Sequence, residues 1–406
     1  MKWTNKGHEL DELGAKYIKI KDLYIWGAGR FGRKMLRFLR WLNLSDDFCI
    51  KFIDSNVSLQ NKIVDNVLIV SPACFLDTFN PETDVLDISS EGLYFELEKI
   101  YSEKFPASFF ISYAEHKPDH DFLRMFVCVY LMYKHGKLLS AHSNYIITTI
   151  CNLNCDGCLN FNQYIKHPAD ESFESFKRHT DIVFSKFDYL ASFHFSGGEV
   201  MLHRELPKFL KYISETYGDR IFELFFVTNG TVIPDSELLA LMQRTNCGVL
   251  LDDYRQSVPK SVDTFPKVKA LFDEYGIEYR IAKADYWYEL GITDSVDNGR
   301  DLTEEELIRH KSECGVHYFQ DFFDGKIFGC CYIGYVNDMY PNKAAIYTPE
   351  ANDYIEIAAT PKMEILEYRA GYTQKGYFEL CRHCNEMHGK TSKRIPVAQQ
   401  RSKART

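Results

Sequence analysis

Three cysteines in the run CNLNCDGC, Cys151, Cys155 and Cys158, carry the clearest chemistry in this chain. Thiolates are the usual holders of iron–sulfur clusters. Three of them on one short loop hold three irons of a 4Fe-4S cube and leave the fourth open to a small molecule, which marks a catalytic site rather than an electron wire. Structural zinc is the competing reading, but it wants four ligands, and the nearest spare is His167. A second set follows: Cys314, then Gly325-x4-Cys330, then Cys381-x2-Cys384. Four thiols close a site, around a cluster or around the ion of a zinc ribbon. Cys331, directly after Cys330, reads as an alternative ligand, a hydrogen-atom donor or an inert thiol. Cys49, Cys74, Cys128 and Cys247 lie singly in apolar surroundings and read as core filler. The opening MKWTNKGHELDEL has no apolar signal region, so the twelve cysteines read as metal or redox ligands rather than a disulfide framework.

Elements with the right period surround these residues. NYIITTI precedes Cys151, YLASFHFS precedes Gly197, IFELFFVT precedes Asn229, and CGVLLDD and IEYRIA follow as further strands. Phe173, Phe176, Thr180, Val183 and Phe187 recur at the spacing of a buried helical stripe. Such β-then-α units from Ser143 to about Val316 suggest a parallel sheet curling into a full or partial barrel, with chemistry at the carboxyl ends of its strands. Beyond Cys314, YFQDFFDGKIFGCC reads as a hairpin turning at Asp324-Gly325.

Residues 23–112 show a separate, smaller α/β alternation. LYIW, GAGRFG, RKMLRFLRWL and CIKFIDSN read as strand, turn, helix and strand, with VLIVSP, DVLDISS and SFFISY as later strands. Gly27, Gly29 and Gly32 match G-x-G-x-x-G between strand and helix, and Asp54 ends the second strand where an acid accepts a ribose hydroxyl. Tight strand-to-helix turns need glycines with or without a ligand, so the structural alternative stands beside the nucleotide-binding one. AEHKPDHD reads as a linker, and FVCVYLMY (Phe126 to Tyr133) as a buried linker helix, far short of the roughly 20 residues that span a bilayer.

At 406 residues the chain has room for two or three domains. Its 45% hydrophobic content places it among folded globular proteins, and its net charge of −9 argues against a nucleic-acid partner bound through a broad basic face. The basic end, with Lys390, Lys393, Arg394, Arg401, Lys403 and Arg405, reads as a solvated terminus. The expected location is cytoplasmic, with no membrane span.

The chain resembles the radical SAM superfamily, whose 4Fe-4S cluster passes an electron to S-adenosylmethionine and releases a 5′-deoxyadenosyl radical. The likeness covers about Ser143 to Met387 and rests on the Cys151, Cys155, Cys158 triplet together with FHFSGGEV and FFVTNGT. It implies that Gly197, Gly198 and Glu199 meet the methionyl end of SAM, with the carboxylate accepting from its ammonium. It also implies that Thr228 and Asn229 meet the ribose, and that Asp252 and Arg255 in LLDDYRQ contact SAM or substrate. Gly157 stands where many members carry an aromatic. Cys314, Cys330, Cys381 and Cys384 resemble the twitch domain, the shortened SPASM extension, which implies an auxiliary 4Fe-4S cluster and two cubes per chain. An external electron donor such as flavodoxin or ferredoxin follows from the same resemblance.

The expected organisation is therefore a Rossmann-like domain at 1–115, a helical linker at 116–142, a partial (β/α)6 radical SAM barrel at 143–313, a twitch domain at 314–390 and a basic tail at 391–406. The first unit resembles the nucleotide-binding modules of sugar-modifying enzymes. That points to redox modification of a nucleotide-linked sugar: dehydrogenation, epimerisation or deoxygenation. A peptide-modifying maturase is the alternative, although no peptide-docking signature is evident. A non-catalytic iron–sulfur scaffold fits less well with GGE and an open-site triplet.

Overall fold

The structure, a computed structural model, describes residues 1–88, 97, 122–165, 167–289, 301–314, 320–334, 352–385 and 393–401. Its contacts divide the chain into two units, His8–Ala141 and Met1–Gly7 with His142–Thr406.

In the first unit, β1 (Asp22–Trp26), β2 (Cys49–Ile53), β4 (Val67–Val70) and β5 (Asp84–Ile88) are parallel in the order β4-β2-β1-β5, with β3 (Ile63–Val64) antiparallel on the β4 edge. Leu23, Tyr24, Ile25 and Trp26 are all buried, because a central parallel strand is covered on both faces. Trp26 sits between Ile53 and Ile88 in register, and its ring packs edge-on to Phe75. Helix α1 is Asp11–Tyr17; α2, Arg30–Trp41, follows the glycine turn and buries Leu36, Phe38 and Leu39; α3 is Pro72–Thr78. The expected strand SFFISY and the linker AEHKPDHD lie outside the described residues.

The stretch expected as a separate linker helix belongs to this unit. A π-type turn at Phe122–Val127 leads into α4 (Cys128–His135), Phe126 packs on Phe48 at 5.8 Å between ring centroids, and the Tyr130 hydroxyl donates to Asp47 at 3.1 Å. Its nearly all-apolar surface needs a core on every side. Cys128 and Cys247 are buried as expected of filler, whereas Cys49 and Cys74 are exposed, at a strand start and in the first turn of α3.

In the second unit, β6 (Ser143–Thr148), β7 (Tyr189–Gly197), β8 (Ile221–Thr228), β9 (Gly248–Asp252) and β10 (Tyr279–Ala282) run parallel in sequence order. They alternate with α5 (Phe173–Lys186), α6 (Leu206–Tyr217), α7 (Ser236–Thr245) and α8 (Pro259–Glu274). The Ser172 hydroxyl caps α5 and the Asp235 carboxylate caps α7, each taking an orphan first-turn N–H. The expected stripe buries Phe176, Thr180, Val183 and Phe187, and Phe176 stacks on Phe209 of α6 at 4.3 Å.

Rather than extending the β10 edge, β11 (Trp287–Glu289) pairs antiparallel with β15 (Lys393–Ile395). At the other edge, α9 (Glu304–Glu313) opens on a Thr303–Glu306 capping box, and β12 (Asp321–Phe323) lies parallel to β6. The hairpin to β13 (Lys326–Phe328) is present, with Asp324 at φ 50° and Gly325 at φ 69°, as a two-residue turn of the primed type requires. β14 (Tyr354–Glu356) and the largely buried α10 (Lys362–Arg369) complete this side. No helix among the described residues is long and apolar enough to cross a membrane.

Candidate active site at the cysteine loop

The loop holding Cys151, Cys155 and Cys158 leaves the carboxyl end of β6, and the ends of β7, β8 and β9 close around it. At β7 the approach is backbone to backbone. Gly198 N–H donates to Thr148 O at 2.7 Å and Glu199 N–H to Ile150 O at 2.8 Å. A Cβ on Gly197 would stand 2.0 Å from Thr148 O, and one on Gly198 2.1 Å from Ile150 O, so the two glycines let β7 hold the base of the loop.

Glu199 lies just past the end of β7. It is fully buried and takes hydrogen bonds from Thr228 Oγ1 (2.7 Å), Asn229 N (2.8 Å) and Met201 N (3.1 Å). Burial raises its pKa, and these donors oppose the rise. The carboxylate thus ties β7 to β8. Thr228, expected at a ribose, is committed to the same tie and also accepts from Gly230 N at 3.2 Å.

Asn229 reaches the loop itself. Its Nδ2 donates to Asn152 Oδ1 at 3.1 Å and lies 3.9 Å from Cys151 Sγ, while its Oδ1 accepts from Thr231 N and Thr231 Oγ1. Asn152 Nδ2 donates back to Thr231 Oγ1 at 2.7 Å, closing a knot between β8 and the loop. At β9, Asp252 accepts from the Tyr254 hydroxyl at 2.9 Å, and burial, with Glu199 nearby, pushes its carboxyl up to about 7. Arg255 is turned elsewhere. Its guanidinium pairs in a fork with Asp253, both bonds 2.8 Å, and stacks over Phe265, so it is already neutralised by its own chain.

Cys155 is 7% exposed and packs with Val258, Val397 and Ala398, with Tyr254 and Trp287 alongside. Its thiol is pushed up to about 12, by burial first and then by Cys158, with Cys151 and Asp252 adding and the Gln400 amide opposing. Among the described residues no three or more His, Cys, Asp or Glu side chains are arranged around a single metal ion. A cube spreads its thiolates over separate irons, so three cysteines on one loop remain a donor set of the kind a cluster takes.

The cover over Cys155 comes from a stretch expected to be a solvated basic tail. β15 (Lys393–Ile395) pairs with β11, and the residues after it are pinned to the loop. Asp156 N–H donates to Gln399 O at 2.6 Å, Arg401 N–H to Asn154 O at 2.9 Å, and Asn154 N–H to Gln400 Oε1 at 2.9 Å. Sequence reasoning missed Asn152, Thr231, Gln400, Val397 and Ala398. Short polar residues and a two-residue apolar pair carry no periodic signal that would have flagged them.

Of the second cysteine set, Cys330 and Cys384 are buried and Cys314 and Cys381 half-buried. Burial raises the Cys330 thiol, and Cys331, Cys381 and Cys384 raise it further. Cys331 is raised by burial and then by Asp321, Cys314 and Cys384, and Cys381 is pushed up to about 12 by burial, with Cys314 contributing. Cys331 thus lies within electrostatic reach of Cys330, Cys314 and Cys384.

In the first unit, the glycine turn sits at the carboxyl end of β1, where the strand order reverses between β1 and β5. Asp54 does not stand free for a ribose: its Oδ2 accepts from Ala28 N at 3.0 Å and its Oδ1 from Asn56 N at 2.9 Å, pinning the turn. Gly27 has φ 101°, and a Cβ on Gly32 would stand 1.9 Å from Gly27 O, so both glycines are required by the fold. Gly29 is not, since its φ is −81° and a Cβ there would meet nothing within 4 Å.

Residues 145–314 match the family model of the Radical SAM superfamily, a stretch that includes the cysteine loop, Gly197–Glu199 and the ends of β8 and β9. No curated protein matches the chain. Among solved structures, BtrN in complex with AdoMet and 2-DOIA overlaps 63% of this chain and 96% of its own at 15% identity and a TM-score of 0.39. Native anSMEcpe with bound AdoMet overlaps 60% and 83% at 16% identity and a TM-score of 0.39. Streptococcus suis SuiB overlaps 60% and 76% at 11% identity and a TM-score of 0.25. Overlaps of this quality say nothing about what the present chain binds.

Proposed function

With residues 145–314 matched to the radical SAM superfamily, we propose that this chain is a radical SAM enzyme. In this reading Cys151, Cys155 and Cys158 hold a 4Fe-4S cluster, and Cys314, Cys330, Cys381 and Cys384 hold an auxiliary one in a twitch-type domain. The observation that carries it is the convergence of the cysteine loop with Gly197–Gly198 and the ends of β8 and β9. When bound, a cluster with an open iron supplies one electron for reductive cleavage of SAM to methionine and a 5′-deoxyadenosyl radical.

The chain's own residues do the rest. Glu199, Thr228 and Asn229 fix the loop against the strand ends, so the thiols are held before a cluster arrives. The apolar cover of Val258, Val397 and Ala398 keeps water from Cys155. Ser196 Oγ, near the end of β7, is buried with no hydrogen-bond partner among the described residues and is one hydroxyl a bound ligand could engage. In the same reading Cys331 serves as a fifth thiol beside the auxiliary cluster, as an alternative ligand or a hydrogen-atom donor.

We assign a nucleotide-linked sugar as the substrate class and a redox change at a sugar carbon as the reaction. Support comes from the Rossmann-like first unit, and within it from Gly29. A glycine that neither dihedral angle nor packing demands, at a helix start with no side-chain cap, is what a closely approaching phosphate needs. Asp54, bound to its own turn, speaks against a dinucleotide held through its ribose.

Reduced, anaerobically reconstituted protein should convert SAM to 5′-deoxyadenosine, and Cys155→Ala should abolish this. Fully iron-loaded wild type that leaves SAM intact would overturn the enzymatic reading. Titration with UDP-, GDP-, CDP- and dTDP-sugars and with NAD tests the substrate class: saturable binding of one sugar nucleotide is expected, and tight NAD binding with no response to any sugar nucleotide would exclude it.

A further inference from the structure

Two features of the cysteine loop are completed from far along the chain. The first is the space beside Gly157. This residue has φ 65°, and a Cβ on it would stand 2.2 Å from Ile395 Cδ1, so the room a side chain at 157 would take is filled by the last residue of β15. The second is the sulfur of Cys155. Gln400 Nε2 lies 3.1 Å from it.

The orientation of the Gln400 amide is set by its other contacts. Its Oε1 accepts from Asn154 N–H at 2.9 Å, which only the oxygen can do, so Nε2 must face the other way. Of the two hydrogens on Nε2, one goes to Ala398 O at 2.8 Å and the other points to Cys155 Sγ. The amide is thus held on three sides with an N–H aimed at a sulfur. Behind it, Val397 and Ala398, 2% and 0% exposed, close the apolar side of Cys155.

We propose that residues 393–401 are a built-in cover of the catalytic cysteine loop, and that Gln400 is a positioning residue whose N–H···S bond to Cys155 sets the electron affinity of the cluster held there. The proposal rests on the assignment of Cys151, Cys155 and Cys158 as cluster ligands. In the structure the Cys155 sulfur is a free thiol; in the loaded protein the same sulfur would be a thiolate ligand of the cluster. A donor to that thiolate stabilises the more negative, reduced cluster and raises its potential, and burial from water acts on the potential as well. Ile395 supplies from β15 the apolar wall that Gly157 lacks, which accounts for this loop's departure from an aromatic at that position.

The test is an EPR-monitored redox titration of the holoenzyme, reading the cluster signal that changes when SAM is added and so identifies the open iron. The midpoint of that signal should shift negative in Gln400→Ala, which loses the donor, and further negative in Gln400→Glu, which adds charge. The SAM-insensitive signal should stay in place in both. Unchanged midpoints at full iron content would overturn this inference alone, whereas wild type without any SAM-sensitive cluster signal would overturn the underlying assignment with it. A measurement on metal-free protein guards against variants that fail to load. Val397→Ser should speed alkylation of Cys155 several-fold relative to wild type while leaving Cys158 little changed, and equal Cys155 rates would contradict a cover.

Discussion

Glu199 and Asp321 are the two carboxyls whose surroundings do most to define the second unit. Glu199 was legible as a strand-end acid after two glycines; that its oxygens are taken by Thr228, Asn229 and Met201 was not, because no local pattern reports which strand end lies opposite. In Glu199→Gln one of those oxygens becomes an N–H group facing donors, a mismatch that costs about 1–3 kcal/mol. Thermal melting of the variant should show a clear loss of stability even in metal-free protein. Asp321 is fully buried, accepts from Asn144 Nδ2 at 2.7 Å, and is pushed up to about 8 by burial, with that donor opposing. Its folded pKa lies above the ordinary Asp value, so folding takes up a proton between pH 4 and pH 8 and stability falls as pH rises through that window. The slope is at most about 1.4 kcal/mol per pH unit. Asp321→Asn should flatten the profile and melt higher than wild type at pH 8, and parallel profiles would contradict a buried, protonated Asp321.

Among the elements, the long periodic ones were readable and the short ones were not. β6 to β10 and the stripe on α5 follow from runs of buried residues and from the three- and four-residue spacing of Phe173 to Phe187. β15 is KRI, two exposed charged residues and one isoleucine, and nothing in its composition separates it from a solvated tail. Only pairing with β11 makes it a strand, and only its contact with Gly157 makes it part of the site. The glycines sort the same way. Gly198→Ala would drive a Cβ into the Ile150 carbonyl at 2.1 Å, with no flexible group to yield, so it should cost well over ~2 kcal/mol and lose soluble protein. Gly29→Ala meets open space, so it should leave the melting temperature within what less than ~1 kcal/mol produces while weakening sugar-nucleotide binding at least tenfold by calorimetry. An equal affinity in the two proteins would return Gly29 to an ordinary turn residue.

At the level of the whole molecule, seven of the twelve cysteines were readable from spacing alone as two sets. What spacing left open was the company each set keeps: Gln400, 245 residues on, beside Cys155, and Cys331 within electrostatic reach of Cys314 and Cys384. Both are long-range facts of packing. If the two sets hold two cubes, one of them open to SAM, iron counting after anaerobic reconstitution will show it. About eight irons per wild-type chain are expected, about four when Cys151, Cys155 and Cys158 are together replaced by Ala, and no 5′-deoxyadenosine from that variant. Iron content unaffected by the triple substitution, or SAM cleavage that survives it, would rule out an open cube on these three cysteines.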